Sequence, residues 1–252
     1  MKVLVCVTQA LEVSAYLEFT ADGTAVDEAF VTTSLNEADQ NAVEEALALV
    51  EAAGDGEVVV VSAGGDEAEE ALRAGLTMGA HRAVRVDVAS VLLADTRTLA
   101  AALGQAVAAE QPDLVLTGVQ ASDTGSQSAA PALAAVWGVP AVSVARSLAL
   151  GGRTLTARRE FEGGVSDEVE VDLPAVVSVQ VGANEPRYGT FKDKMRAKKA
   201  EIPVLTPVDL PAARVVLTQM SADHAGGRTV QMVQGGPAEV AARILTIVRE
   251  VQ

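Results

Sequence analysis

The loop over residues 117–130, TGVQASDTGSQSAA, contains the residue types that bind phosphate groups. Small residues let backbone amides come close to a phosphate, and the N-terminus of a following helix adds free N–H groups and a favourable dipole. We expect Ser126, Gln127 and Ser128 to form the first turn of that helix. The same composition is typical of an ordinary turn and helix cap, so the loop by itself leaves both interpretations open.

The sequence offers little for nucleophilic or metal-dependent catalysis. It has one cysteine, Cys6, and two histidines, His81 and His224, which lie far apart in the chain. A Cys/His metal cluster or catalytic pair needs these residue types in closer groups. No Walker lysine and no G-x-G-x-x-G motif is present, which argues against P-loop and ordinary dinucleotide-binding domains. We therefore expect no catalytic residue and no metal site.

Composition and charge limit the possible partners and compartment. The chain of 252 residues has a formal charge of −15, which disfavours nucleic acid or an anionic membrane as its general partner. No apolar run reaches membrane-spanning length, and the N-terminal MKVLVCVT lacks the layout of a signal peptide. The sequence predicts a cytoplasmic protein, or one of the mitochondrial matrix if the source is a eukaryote.

A basic segment stands out against this acidic background. Residues 184–201, NEPRYGTFKDKMRAKKAE, hold six of the nineteen basic residues: Arg187, Lys192, Lys194, Arg196, Lys198 and Lys199. A positive patch on an acidic chain speeds the encounter with an acidic partner, and this effect weakens as salt rises. By composition alone, the segment could also be a solvated helix face or a surface that covers another subunit.

Hydrophobic periodicity predicts the elements that position these residues. Short apolar runs typical of buried parallel strands are KVLVCV (2–7), EVVVVSAG (57–64), RAVRVD (82–87) and DLVLTG (113–118). They alternate with helices predicted from Asn36 as cap to Gly54, over 66–79, and from about Asp95 to Glu110. Such alternation indicates a right-handedly wound α/β sheet, in which ligands bind beyond the carboxyl ends of the strands.

The pattern changes at two further places. Residues 16–30 predict a hairpin excursion around Asp22-Gly23. After Pro140, four runs over 141–150, 154–164, 167–173 and 174–181 predict an antiparallel meander added to the parallel sheet. We therefore expect a domain over residues 1–205 that includes the meander and the basic segment. Residues 206–252 are expected to form a C-terminal arm and an amphipathic helix, from Pro237, that pack on a partner subunit.

Several segments in colinear order resemble the β-subunit of electron transfer flavoproteins. They are NEADQNAVEEAL (36–47), ALRAGLTMGAHRAVRV (71–86), RREFEGG (158–164) with LPAVVSV (173–179), and NEPRYGTFKDKMRAKKAEIPVL (184–205). The resemblance covers about residues 1–205 and is weakest over 8–30 and 206–252. It implies a parallel, Rossmann-like sheet of the adenine-nucleotide-binding type.

The resemblance also implies a function as an electron carrier rather than an enzyme. In this family an α-subunit holds most of one FAD, and the β-subunit forms part of the flavin wall and buries an AMP that has no redox role. Electrons arrive from flavin dehydrogenases, such as the acyl-CoA dehydrogenases of fatty acid oxidation. They leave to a quinone reductase or another acceptor.

Matched position by position, the resemblance implies two sets of functional residues. The nucleotide set is Cys6, Asn36, Asp39, Ala63, Gly118, Gln120, Ala121, Ser122, Asp123, Thr124, Gly125, Ser126, Gln127 and Ser128, and Glu160 matches a glutamate near the flavin. The partner-binding set is Tyr188, Gly189, Thr190, Phe191, Lys192 and Met195, with Phe191 as an apolar tip that enters the dehydrogenase. Gly125 and Ser128 stand where the family has aspartate and glutamine. The identity of the nucleotide, AMP or the second FAD of a bifurcating relative, therefore stays open.

Two other classes of protein share parts of this pattern. An adenine-nucleotide-binding stress or regulatory domain would lack the meander and the long arm, and would show glycine-rich ATP motifs. An ATP-pyrophosphatase would have an S-G-G-x-D-S loop after the first strand, where this chain has TQALEV (8–13). Both fit the sequence less well than an electron transfer flavoprotein subunit.

Overall fold

The computed structural model describes residues 1–12, 18–21, 23–27, 31–89, 93–221 and 232–251. The chain divides into two compact units, Met1–Met220 and Ser221–Gln252. The predicted division at residue 205 stays a prediction. Asp22, in the predicted hairpin turn, lies outside the described residues, whereas Phe19 and Val26 on its two sides form an antiparallel bridge.

The strands of the first unit form one large sheet and one small antiparallel sheet. In chain order they are β1 (Lys2–Cys6), β2 (Gln9–Glu12), β3 (Thr32–Leu35), β4 (Glu57–Gly64), β5 (Arg82–Asp87), β6 (Leu114–Gly118), β7 (Ala141–Gly151), β8 (Thr154–Glu160), β9 (Ser166–Asp172), β10 (Ala175–Val179) and β11 (Val204–Leu205). Within the described residues, the large sheet has the order β11-β5-β4-β1-β6-β10-β7-β8-β9. β2 and β3 pair separately as a small antiparallel sheet, and β2 lies in the segment TQALEV (8–13) that the sequence predicts as a loop.

Helices cover both faces of the parallel part of the sheet. They are α1 (Glu37–Ala53), α2 (Glu69–Met78), α3 (Thr96–Glu110), α4 (Ala129–Trp137) and α5 (Phe191–Lys199), followed by α6 (Pro237–Val251) in the second unit. Alternate residues of β1 enter opposite layers. Val3 and Val5 pack in the core with α1 and α2, whereas Leu4 and Cys6 pack in the core with α3 and α4. None of the helices in the described part of the chain has both the length and the apolar composition that a membrane-spanning helix needs.

The α/β fold with a mostly parallel sheet and an added antiparallel part is confirmed, with one correction. β7, β8 and β9 form the antiparallel meander, but β10 is parallel to both of its neighbours and lies between β6 and β7. All five residues of β10 are buried. A strand covered on both faces belongs in the middle of a parallel sheet, because the last strand of a meander would alternate between core and solvent.

Candidate functional site

The candidate nucleotide site lies where the order of the strands reverses. β4 and β5 lie on one side of β1, and β6 and β10 lie on the other. A cavity of about 550 Å³ opens at the carboxyl ends of these strands, the usual place for a ligand in an open α/β sheet. The predicted nucleotide residues that line it are Cys6, Asn36, Asp39, Ala63, Gly118, Gln120, Ala121, Asp123, Thr124 and Ser126.

Asp39 joins three elements around this cavity. It lies in the first turn of α1 and is 4% exposed. Its Oδ2 accepts a hydrogen bond from the Thr8 N–H at 2.8 Å, and its Oδ1 accepts one from the Gly118 N–H at 2.9 Å. One carboxyl group therefore holds the chain segments that leave β1 and β6, and it fixes the floor of the cavity.

The surroundings of Asp39 change its acidity. Burial raises the pKa of Asp39 to about 7, and the nearby charge of Asp123 acts in the same direction. The hydrogen bonds from the Thr8 and Gly118 amides and from Asn36 favour the carboxylate and oppose this rise. Burial has the larger effect, so Asp39 is expected to change its protonation close to neutral pH.

The stability of the domain should consequently depend on pH through Asp39. With a folded-state pKa of about 7, against an ordinary value of 3.8, the folded chain binds more protons than the unfolded chain between these two values. The contribution of Asp39 to stability is therefore fully present below about pH 4 and is lost as pH rises through 7. The full loss is about 1.4 kcal/mol for each unit of pKa difference.

Urea unfolding at pH 5, 6, 7 and 8 measures this effect. Asp39→Asn should show a flatter decline in the free energy of unfolding over this range than the native chain shows. The exposed acid Asp55 provides the control, and Asp55→Asn should keep the native dependence on pH. Equal slopes in the native chain and Asp39→Asn would contradict the assignment.

Asn36 occupies the N-cap position of α1 but does not cap it. Its side chain accepts no capping hydrogen bond from the backbone N–H groups of the first turn. Instead its Nδ2 donates to the Gln120 carbonyl at 2.9 Å, and its Oδ1 accepts from the Ser122 N–H at 3.1 Å. The expectation that Asn36 caps the helix is therefore wrong, because its amide binds the loop after β6.

The loop after β6 folds on itself before α4 begins. The Gly125 N–H donates to the Ala121 carbonyl at 2.9 Å, and the Ala121 N–H donates to the Ser126 carbonyl at 3.0 Å. The first residue of α4 is Ala129, so the prediction that Ser126, Gln127 and Ser128 form its first turn is wrong. The N–H groups available to a phosphate are those of the true first turn, and Ala129 lines the cavity.

Four of the predicted nucleotide residues, and the predicted flavin neighbour Glu160, do not line this cavity. Ser122 lines a smaller neighbouring cavity of about 320 Å³. Gly125, Gln127 and Ser128 belong to the same loop but are absent from the wall. Glu160, at the end of β8, is also outside the wall, and forms ion pairs with Arg146 at 3.6 Å and Arg158 at 3.9 Å.

The structure adds wall residues that the sequence analysis did not assign to the site. Leu93, Ala94, Thr96, Leu99 and Leu103 come from α3 and the turn before it. This turn follows β5, so it also lies at the carboxyl edge of the parallel sheet. The sequence could have indicated these residues, since every loop that follows a parallel strand on this edge can contact the ligand.

The basic segment is attached to α1 by its first four residues. The side chain of Asn184 donates to the Asn41 carbonyl at 3.0 Å, and Asn41 Nδ2 donates back to the Asn184 carbonyl at 2.9 Å. Arg187 pairs with Glu44 at 2.9 Å and with Glu51 at 2.6 Å. These two acids neutralise Arg187, so this residue attaches the segment to α1 and does not attract a partner.

The remainder of the segment presents an apolar tip. A Cβ at Gly189 would overlap the carbonyl oxygen and Cγ2 of Thr77 in α2, so the chain can lie this close only with glycine. Thr190 and Asp193 then form a reciprocal capping box at the start of α5. The predicted partner-binding side chains Tyr188 and Phe191 are 98% and 80% exposed, and Lys192 and Met195 are also exposed.

The other end of α5 is held by α2. Arg73 Nη1 donates to the carbonyls of Ala197, Lys198 and Ala200, at distances from 2.7 to 3.3 Å. Cationic donors at a helix C-terminus stabilise the last carbonyls and the helix dipole. Both ends of α5 are thus fixed to the domain while its apolar tip faces solvent.

Comparison with known proteins agrees with this geometry. The Electron transfer flavoprotein domain family matches residues 24–210. The electron transfer flavoprotein subunit beta of Methylophilus methylotrophus is 36% identical over 262 residues, which cover 99% of this chain and 98% of that protein. The subunit of the same name in Syntrophomonas wolfei is 40% identical over 202 residues, covering 80% of this chain and 78% of that protein.

A mitochondrial relative extends the comparison beyond bacteria. The mitochondrial electron transfer flavoprotein subunit beta of Oryza sativa subsp. indica is 36% identical over 214 residues, which cover 83% of both chains. The family match spans most of the first unit, including the apolar tip and the wall of the cavity apart from Cys6, Val7 and Thr8. The chain belongs to the electron transfer flavoprotein family, as one of its β-subunits.

Proposed function

We propose that this chain pairs with an α-subunit around one FAD and passes electrons from flavin dehydrogenases, such as acyl-CoA dehydrogenases, to a quinone reductase or another acceptor. The observation that carries the proposal is the exposed apolar tip, in which Tyr188 lies just before α5, and Phe191 and Met195 lie on this helix, which is held at both ends. An exposed aromatic pair with flanking lysines has the composition of a docking anchor.

The chemistry in this proposal belongs to the flavin, which accepts and releases the electrons. The residues of this chain provide binding and orientation, in keeping with the general division of work between cofactor and protein. Glu160 is the residue proposed to approach the flavin. It lies at the carboxyl end of β8 and is fixed between Arg146 and Arg158.

We assign AMP to the cavity at the carboxyl edge of the sheet. Leu93, Leu99 and Leu103 provide an apolar wall suited to an adenine ring, and Ala129 provides the start of a helix suited to a phosphate. Among the described residues that line the cavity there is no lysine, arginine or histidine. A single phosphate can be held by N–H groups and hydroxyls, whereas a triphosphate would bring several charges that nothing neutralises.

Coexpression with a candidate α-subunit tests the proposal. The purified heterodimer is expected to be yellow, with about one reducible FAD, and to release about one AMP when denatured. The isolated chain should bind no flavin tightly, because most contacts with FAD are proposed to lie on the α-subunit.

Three outcomes separate the parts of the proposal. A stable but colourless heterodimer would contradict electron transfer through FAD. Two FAD molecules and no AMP would assign the cavity to a second flavin, as in bifurcating relatives. Recovery of neither AMP nor a second FAD would remove the nucleotide assignment and leave the electron-transfer assignment intact.

A further inference from the structure

A single buried carboxylate connects α3 to the segment that follows β11. Asp95, the N-cap of α3, is 4% exposed. Its Oδ1 accepts hydrogen bonds from the N–H of Thr98 at 3.0 Å and from the Thr98 hydroxyl at 3.3 Å. Its Oδ2 accepts from the backbone N–H groups of Arg214 and Val215, at 2.8 and 3.0 Å. One oxygen thus caps the helix while the other holds the distant segment.

The backbone position of the segment around Arg214 depends strongly on its hydrogen bonds to Asp95. Residues 206–220 have no helix or strand, and Val215 and Val216 are 57% and 61% exposed. Apolar burial therefore does little to fix the backbone at these two positions. Hydrogen bonds to an ionised acceptor are stronger than those to a neutral one, so Asp95 is a strong local restraint, beside the Thr98 hydroxyl that donates to the Pro211 carbonyl at 3.2 Å.

The turn that contains Asp95 is also part of the cavity wall. Leu93 and Ala94 precede Asp95, Thr96 follows it, and all three line the cavity. The Thr96 hydroxyl lies 2.8 Å from that of Ser128, which in turn lies 3.1 Å from the Ser126 hydroxyl. The Asp95 turn is therefore joined, by a short chain of hydroxyls, to the loop after β6.

We propose that Asp95 is a latch through which a nucleotide in the cavity orders the segment 211–217. The proposal rests on the assignment of AMP to that cavity. A ligand that contacts Leu93, Ala94 and Thr96 restrains the Asp95 turn, and the restrained carboxylate holds the Arg214 and Val215 amides for a larger share of the time. Coupling is reciprocal, so a fixed segment must also tighten the binding of the nucleotide.

Asp95→Asn tests the latch without any ligand. The variant keeps an oxygen that can accept the capping hydrogen bond from the Thr98 N–H. It places an NH2 group opposite the Arg214 and Val215 N–H donors. Amide hydrogen exchange of the full chain, followed by NMR, should accelerate about ten- to hundredfold at Arg214 and Val215. Exchange at Thr98 should stay within a fewfold of the native rate.

Two further variants keep this test decisive. Asp95→Ser retains a good N-cap with one oxygen, which cannot serve the helix and the segment together, and should give the same acceleration. Gln105→Ala is the matched control, because Gln105 holds the same segment at Val208 through hydrogen bonds of 2.6 and 3.0 Å. It should release Val208 and leave Arg214 and Val215 protected. Native exchange at Arg214 and Val215 in both Asp95 variants would overturn the latch.

Addition of AMP tests the coupling. In the native chain AMP should slow exchange at Arg214 and Val215, and in Asp95→Asn it should bind about three- to tenfold more weakly without slowing exchange there. AMP that binds the native chain but leaves these amides unchanged would overturn the coupling and leave the proposed function intact. An absence of AMP binding to the native chain would overturn both the AMP assignment and the coupling.

Discussion

Gly118→Ala is expected to remove most of the AMP from the heterodimer and to destabilise the β-subunit strongly. A Cβ at position 118 would overlap Asp39 Oδ1 and the Cβ of Ala38. Asp39 or the first turn of α1 would have to move, and the N–H groups of Thr8 and Gly118 would lose the acceptor of two partly buried hydrogen bonds. Overpacking costs about 1–3 kcal/mol, and the loss of each of these hydrogen bonds costs about 0.5–1.5 kcal/mol more.

Two measurements on one preparation check this prediction. AMP released on denaturation should fall well below the native amount per heterodimer. The melting temperature should fall by about 2–4 °C for each kcal/mol lost, as is usual for a chain of this size. Gly151→Ala is the control, because a Cβ there would lie 4.0 Å from the Thr154 carbonyl oxygen, an ordinary contact. Native AMP content and melting temperature in Gly118→Ala would show that Asp39 does not fix the cavity floor.

The parallel part of the fold could be predicted because its signals are local. The apolar runs at Val3–Cys6, Val58–Val61 and Leu114–Leu116 are buried almost throughout, and such strands need only their own composition to be recognised. β10 is an equally buried run, but its position between β6 and β7 is decided by pairing with strands distant in sequence. Its place in the sheet therefore could not be predicted from the neighbouring meander.

The sequence predicts the parts of the candidate site that lie at the ends of parallel strands. It does not predict hydrogen bonds from a side chain to a loop distant in sequence. The carboxyl ends of β1, β4 and β6 and the loops after β1 and β6 meet at the cavity because parallel strands end on the same edge. By contrast, Asn36 has the residue type and position of a helix cap, and no local pattern shows that its side chain turns to Gln120 instead. The hydrogen-bonding choice of an amide depends on which loop lies nearest in the folded chain.

In the basic segment, too, the sequence does not show which charges are paired within the folded chain. Its sequence indicates a positive patch, but Arg187 is paired with Glu44 and Glu51, which lie more than a hundred residues earlier in the chain. The positive charge available to a partner is therefore concentrated in α5, whose exposed lysines include Lys192 and Lys194 beside the apolar tip. This arrangement separates the residues that hold the segment from those that face solvent.

Phe191→Ala is expected to slow electron transfer from the dehydrogenase without changing the FAD content or the stability of the heterodimer. Phe191 is the first residue of α5 and is 80% exposed, so its truncation removes no internal packing. Loss of an anchor residue at an interface typically costs about 1–3 kcal/mol, which corresponds to a fall of about 5- to 150-fold in apparent affinity. FAD content and melting temperature should stay at their native values.

Charge reversal nearby should act on a different step. Lys192→Glu combined with Lys194→Glu should lower the association rate with the dehydrogenase, and the deficit should shrink as salt is raised. The Phe191→Ala deficit should persist at high salt, because the lost contact is apolar. Val204→Ala, at an exposed apolar residue of β11, is the control and should leave both rates unchanged.

The result for Phe191→Ala also distinguishes two partners for the tip. If Phe191 packs on the α-subunit, its truncation should shed FAD or lower the melting temperature of the heterodimer, and slower electron transfer would follow from that loss. If it docks the dehydrogenase, the heterodimer is unchanged and only the concentration of dehydrogenase needed for half-maximal rate rises. The second result is the one expected, because Gly189, the capping box and Arg73 already fix α5 within this chain and leave its tip free to meet a transient partner.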